Sequence, residues 1–281
     1  MNNVFRTGYL AVIGRPNVGK STLTNRLVGA KVSITSKKAQ TTRHRIHGVL
    51  TTDDAQFIFV DTPGFQMTHK NALNRLMNRS VTSTFADVDV ILLVVEAGHW
   101  GNGEAEILRM LPAGTPVVLV INKIDRLADK KELLPFIAKV SALHEFAELV
   151  PLSAEKGIGT DQLLGAVARY LPESPPVFDA DDITDRSERF MASEILREKL
   201  FRNLGEELPY GIAVEIEKFE QEGELRRIHA AVIVDRAGHR AIVIGKGGER
   251  MKRISTDARK EMETLFGGKV WLETWVKVKG G

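Results

Sequence analysis

The chain has 281 residues, 43% of them hydrophobic and 27% charged, with a formal net charge of +3. That length exceeds one average domain of roughly 100–200 residues, and the composition excludes wholesale disorder and the fibrous classes. No cysteine is present, which excludes disulfides, thiolate metal sites and cysteine nucleophiles and is compatible with a reducing cytosol. The opening MNNVFRTGYLAVIG ends its short apolar run in a glycine turn, and no stretch reaches the roughly 18 apolar residues of a spanning helix, so neither a secretory signal nor a membrane span is expected.

Near-continuous apolar runs at residues 9–13, 57–60, 90–95 and 117–121 alternate with helical patterns as far as about residue 171. Strands of that kind are covered on both faces, so an α/β domain with a doubly wound, mostly parallel sheet is predicted over 1–171. The stretch LPESPPVFDADD (171–182) has three prolines and several acids, which predicts a linker over 172–186. A smaller α+β domain is expected over 187–281, from a helix over 187–204, strands over 212–219 and 228–234, a long basic helix and a strand over 270–278.

The first strand runs into GRPNVGKST, and residues 14–21 fit G-x-x-x-x-G-K-[ST] between a strand and a helix. Glycines at 14 and 19 let the loop, through Arg15, Pro16, Asn17 and Val18, turn its N–H groups toward one anion, and the following helix adds its positive dipole end. Lys20 is suited to neutralise β and γ phosphates, the Ser21 hydroxyl to ligate Mg2+, and Thr22 continues the helix start beneath them. In FIFVDTPG, Asp61 is placed to hold the magnesium through water. Beyond it, Thr62 and Pro63 lead to Gly64, whose N–H can sense the γ phosphate.

The tetrapeptide NKID (122–125) follows an apolar strand, at the carboxyl edge where ligands of open α/β sheets sit. Asp125 can accept from the N1–H and 2-amino group of guanine, whereas adenine would leave its carboxylate unpaired. Asn122 would brace the loop, Lys123 would lie along the base, and Ser153 and Ala154 in PLSAEKG are placed to offer O6 a backbone N–H.

These four elements, in this order and spacing, resemble the P-loop GTPases from Gly8 to about Leu171. The resemblance implies binding of GTP and GDP, GTP hydrolysis, and a switch threonine that ligates Mg2+; Thr41 and Thr42 are the candidates, with Thr42 preferred. Where many small GTPases carry a water-orienting glutamine, this chain has Phe65, which lacks a hydrogen-bonding group. Relatives with an apolar residue there, the translation-factor-related GTPases, often have an asparagine in the phosphate loop whose side chain can help hold a potassium ion beside the phosphates. That implies a catalytic role for Asn17 with K+, next to Lys20, Thr42 and Gly64; a purely loop-shaping Asn17 is the alternative.

Further along, AIVIGKGGERMKRI places Gly245, Lys246, Gly247 and Gly248 as G-x-x-G before a helix. Met251, Ile254, Ala258, Met262 and Leu265 recur at spacings of three and four, leaving Arg250, Lys252 and Arg253 off that stripe. Residues 225–260 hold ten basic side chains against three acidic ones. The loop resembles that of the KH domain, which clamps single-stranded nucleic acid, and the element order is similar to the type II arrangement. Ile242 and Ile244 could then contact base faces beside the loop. β propensity favours a strand at 240–244, whereas the resemblance implies a short helix, and the helix is expected. A basic, solvated helix after a glycine turn is the alternative. Lys37, Lys38, Arg43, His44 and Arg45 form a second basic segment, either phosphate-contacting or simply solvated.

Over nearly its whole length the chain resembles the TrmE/Era family of P-loop GTPases that carry a C-terminal type II KH domain. The resemblance implies a GTP-hydrolysing switch that binds the 3′ end region of 16S rRNA and assists assembly of the 30S ribosomal subunit. It also implies a monomer in the cytoplasm with peripheral association at the inner membrane. A GTPase whose C-terminal module is an adaptor for a protein or membrane partner remains the alternative.

Overall fold

In a computed structural model of the chain, residues 4–35, 46–61, 85–204 and 211–279 are described. They form two compact units, the first ending at Asp185 and the second beginning at Arg186, with Ile34 and Thr35 counted in the second.

The first unit is built on strands β1 (Arg6–Ile13), β2 (Ile46–Thr51), β3 (Ala55–Asp61), β4 (Val90–Glu96), β5 (Val117–Asn122) and β6 (Glu148–Pro151). Their order in the sheet is β2-β3-β1-β4-β5-β6, parallel throughout except that β2 runs antiparallel to β3. The continuous apolar runs divide with period two between the faces. Leu10, Val12, Leu92, Val94, Val118 and Val120 enter one core, and Ala11, Ile13, Ile91, Leu93, Leu119 and Ile121 enter the other. Helices α1 (Lys20–Val28), α2 (Asn102–Arg109) and α3 (Leu133–Ser141) connect the strands, and α4 (Thr160–Ala168) follows β6. Because β1 lies between β3 and β4, the strand order reverses there, and the loops after these strands meet at the sheet's carboxyl edge.

The acidic, proline-rich stretch after α4 is laid along this sheet. Thr7 N–H donates to the Pro172 carbonyl at 3.1 Å, and the fully buried Gln56 accepts from the N–H groups of Val177 and Phe178 at 2.8 and 3.0 Å. Val49 N–H donates to the Ile183 carbonyl at 2.9 Å. Proline leaves such a segment short of donors; Gln56 takes two that remain, and sheet N–H groups meet the segment's carbonyls.

The second unit contains α5 (Glu188–Asn203), β7 (Ile212–Glu222), β8 (Leu225–Val234), α6 (Ala237–Ile244), α7 (Glu249–Phe266) and β9 (Lys269–Val278). The sheet order is β7-β8-β9, with β7 antiparallel and β9 parallel to the central strand. Ser187 caps α5 by accepting from Phe190 N–H. Residues 240–244 are helical, as the family resemblance implies and against their β propensity: Val243 is fully buried in the core, and Gly245 N–H closes the helix on the Ala241 carbonyl. Met251, Ile254, Ala258 and Met262 on α7 are buried as the spacing predicts. The last turn differs, because Phe266, one full turn after Met262, fills the core while Leu265 sits at its edge, partly buried. No described helix is long and apolar enough to cross a membrane.

Candidate functional site

The turn from β1 into α1 has the backbone its sequence predicts. Gly14, Asn17 and Gly19 have φ of +146°, +66° and +103°, and a non-glycine residue at positive φ is uncommon enough to mark a shaped loop. A Cβ on Gly14 would lie 2.3 Å from the Val94 carbonyl oxygen, and one on Gly19 would lie 2.3 Å from Asn122 Nδ2. The loop is therefore pressed against β4 on one side and the NKID segment on the other. Lys20 is buried and curls back over the loop, its Nζ donating to the carbonyls of Gly14 at 3.1 Å and Arg15 at 2.9 Å. Burial pulls its pKa down to about 8, with the negative charge of Asp61 opposing part of the shift.

Asp61, at the end of β3, is fully buried. Its Oδ2 accepts from the Ser21 hydroxyl at 2.8 Å and from the Ser33 hydroxyl at 2.5 Å. A buried carboxylate beside hydroxyl oxygens is the hard-oxygen donor set that suits Mg2+. Thr41, Thr42, Thr62, Pro63, Gly64 and Phe65, with the basic segment from Lys37 to Arg45, lie outside the described residues.

Asn122 joins the phosphate loop to the base loop. Its Nδ2 donates to the Val18 carbonyl at 2.9 Å, and its Oδ1 accepts from Lys123 N–H at 2.8 Å and Ala154 N–H at 3.0 Å. Lys123 takes a left-handed φ of 63° and pairs with Glu96 at 2.7 Å. Asp125 stands exposed in the turn Ile124–Arg126. Ser153 is buried and closes its loop through reciprocal backbone bonds with Ile158, while its hydroxyl accepts from Lys156 N–H at 3.2 Å. Of the pair Ser153 and Ala154, the serine thus holds the loop shut and the alanine carries the inward amide.

Several side chains at this site carry no signal in the sequence. Ser33 lies in a stretch without a motif, and Glu96 is one acid among many. Glu104, 2% exposed, accepts from Arg15 Nη1 at 3.2 Å and from Gly101 N–H at 3.0 Å, so it fixes the loop arginine to the start of α2. Arg26 on α1 reaches the carbonyls of Ala154 and Glu155.

In the second unit, Gly245, Gly247 and Gly248 have φ of +76°, +59° and +80°. A Cβ on Gly245 would lie 2.7 Å from that of Arg250, and Arg250 Nη1 donates to the Ile242 carbonyl at 2.5 Å, so the arginine clasps the loop. Lys246, Lys252 and Arg253 are exposed, as is Ile242 at 46%, whereas Ile244 is partly buried against the core. A glycine loop with cations and an exposed isoleucine around a helix start suits a sugar-phosphate chain.

Comparison with known proteins agrees with both halves. Residues 9–123 match the family described as "50S ribosome-binding GTPase", and residues 207–281 match the KH domain. The chain is 58% identical over 277 residues to GTPase Era of Nitrosomonas eutropha, covering 99% of this chain and 94% of that one. It is 55% identical to GTPase Era of Chromobacterium violaceum, with the same coverage of each chain. The chain belongs to the Era family of GTPases. Two solved Era structures superpose at 42% identity, each covering 98% of this chain and 94% of the other. One is Era with MgGDPNP and nucleotides 1506–1542 of 16S ribosomal RNA (TM-score 0.92), and the other is an Era variant from Aquifex aeolicus bound to GDP and aluminium fluoride (TM-score 0.93). As an Era-family protein, the chain is a GTPase with a mostly parallel P-loop domain and a KH domain.

The lowered pKa of Lys20 has a defined sign. Its charged form is disfavoured in the free folded protein, so between about 8 and 10.5 the unfolded chain binds more protons and this group's contribution to stability rises with pH. A bound polyphosphate favours the ammonium, so binding above pH 8 takes up a proton. GDP affinity is expected to be about tenfold lower near pH 9 than near pH 7, with uptake approaching one proton. Calorimetry in two buffers of different ionisation enthalpy measures this; a flat affinity without proton uptake contradicts it.

Proposed function

We propose that this GTPase is a nucleotide-controlled switch that binds the 3′ end region of 16S rRNA through its KH domain and assists assembly of the 30S subunit. The observation that carries the reading is the clasped, left-handed glycine loop among exposed cations. The relative bound to a GTP analogue and nucleotides 1506–1542 of 16S rRNA supports the choice of RNA. In this reading the protein works in the cytoplasm as a monomer with peripheral contact at the inner membrane, as the family resemblance implies.

At the nucleotide, the backbone N–H groups between Gly14 and Ser21, Pro16 excepted, and the Lys20 ammonium hold the phosphates. Lys20 already sits over the loop carbonyls, so it needs only to exchange those acceptors for phosphate oxygens. Ser21 and Thr42 would ligate Mg2+, and Asp61 would hold it through water; the ion supplies positive charge where the leaving and transferred phosphates carry negative charge. Asp125 reads the guanine edge with Lys123 beside it, while Asn122 fixes both loops. Gly64 senses the γ phosphate. At the KH loop, the amides of Gly245 to Gly248 with Lys246, Arg250, Lys252 and Arg253 hold the RNA backbone, and Ile242 meets a base face. Ile244, turned partly into the core, contributes less area.

Three measurements test this reading. Binding to the 16S rRNA 3′ fragment should exceed binding to a scrambled RNA, change between GDPNP and GDP, and weaken steeply with salt. Gly247→Asp, which puts a carboxylate on the loop where the structure leaves open space, should lower affinity about tenfold or more by like-charge repulsion. Equal binding of both RNAs, or no effect of the substitution, contradicts the reading. Placing a potassium ion beside Asn17 predicts faster GTP hydrolysis in potassium than in sodium; equal turnover in both removes it.

A further inference from the structure

Arg26 lies in the last turn of α1, the helix whose first residue is Lys20. It is exposed and fills no core, yet its guanidinium donates twice to the guanine-side loop, from Nε to the Ala154 carbonyl at 3.0 Å and from Nη2 to the Glu155 carbonyl at 2.7 Å. The loop lies flat against the arginine stem: a Cβ on Gly157 would be 3.7 Å from Arg26 Cδ.

A planar trans peptide carries its C=O and the next N–H on opposite sides. Holding the carbonyl of Ala154 toward α1 therefore turns the Glu155 N–H the other way, and holding that of Glu155 does the same for Lys156, whose N–H meets the Ser153 hydroxyl. The preceding peptide is fixed separately, by the Ser153 carbonyl on Ile158 N–H and by Ala154 N–H on Asn122. Three successive peptide planes are thus set, and two of them are set by Arg26. Arg126 also reaches this loop, pairing with Glu155 at 3.0 Å, but both side chains are more than half exposed, where such pairs contribute little.

We propose that Arg26 is a positioning residue for guanine selection: it orients the Glu155 amide, next to the Ala154 amide that Asn122 holds, toward the O6 of the base and links that loop to the helix that receives the phosphates. The inference rests on the assignment of this loop to O6 and of Asp125 to the N1–H and 2-amino edge.

The test compares GDP with 6-thio-GDP, which keeps both donors for Asp125 and replaces O6 with sulfur, a weak acceptor. Affinities are measured for the full chain, Arg26→Ala, Arg26→Lys and Asp125→Asn, with thermal unfolding confirming that each variant is folded. The wild type should prefer GDP. Arg26→Ala should lose about tenfold in GDP affinity and less than about twofold in 6-thio-GDP affinity, and Arg26→Lys, with a single donor centre, should fall between. Asp125→Asn should weaken both ligands alike. Equal losses for the two ligands on Arg26→Ala, or no loss, overturn the inference while leaving the assignment of Asp125 intact. A wild type that does not distinguish the ligands overturns the O6 assignment and the Arg26 proposal with it, and failure of Asp125→Asn to weaken either overturns the guanine-edge assignment.

Discussion

The Asn122 side chain is the interaction on which the nucleotide site depends. One amide group donates to the phosphate loop at Val18 and accepts from both base-side segments, at Lys123 and Ala154. It is 2% exposed, so an unmade bond there would cost the desolvation of a buried polar group, about 1–3 kcal/mol. The absence of a side chain on Gly19 completes the arrangement, because Asn122 Nδ2 occupies the space a Cβ would need. A glycine at that position thus serves two constraints, the positive φ of the loop and the approach of the asparagine.

The sheet explains why such a small bridge suffices. Strands β1, β4 and β5 are buried on both faces and packed into two cores, so their carboxyl ends are fixed relative to one another. The loops that follow inherit that rigidity over only a few residues. Lys20 shows the electrostatic consequence: the burial that places its ammonium at the loop also lowers its pKa, and a bound polyphosphate offsets that cost.

Much of this was legible in the sequence. The phosphate loop, Asp61 and NKID announce themselves because their chemistry needs particular residue types at fixed spacing, and the apolar runs between them have the length and composition of doubly covered strands. The GTPase and KH resemblances, and with them the fold, follow from these motifs. Tertiary effects were less legible. The β-branched run at 240–244 becomes helix because Val243 is buried, and the KH loop's clasp by Arg250 on the Ile242 carbonyl has no local sequence signature. Ser33, Glu96, Glu104 and Arg26 act by meeting groups far along the chain. The packing of residues 172–185 along the sheet uses a buried glutamine, Gln56, in a strand that otherwise reads as apolar, together with backbone bonds from Thr7 and Val49. Spacing shows which residues share a face, but not which distant carbonyl a single side chain will reach.

The most direct test of Asn122 as the side chain that joins the two loops is amide hydrogen exchange on Asn122→Ala, followed at the phosphate loop and the base loop together. The account predicts that protection falls at both, around Val18–Lys20 and around Ala154, while the β1, β4 and β5 amides keep theirs. Loss confined to the base loop, with the phosphate loop as protected as in the wild type, would contradict it.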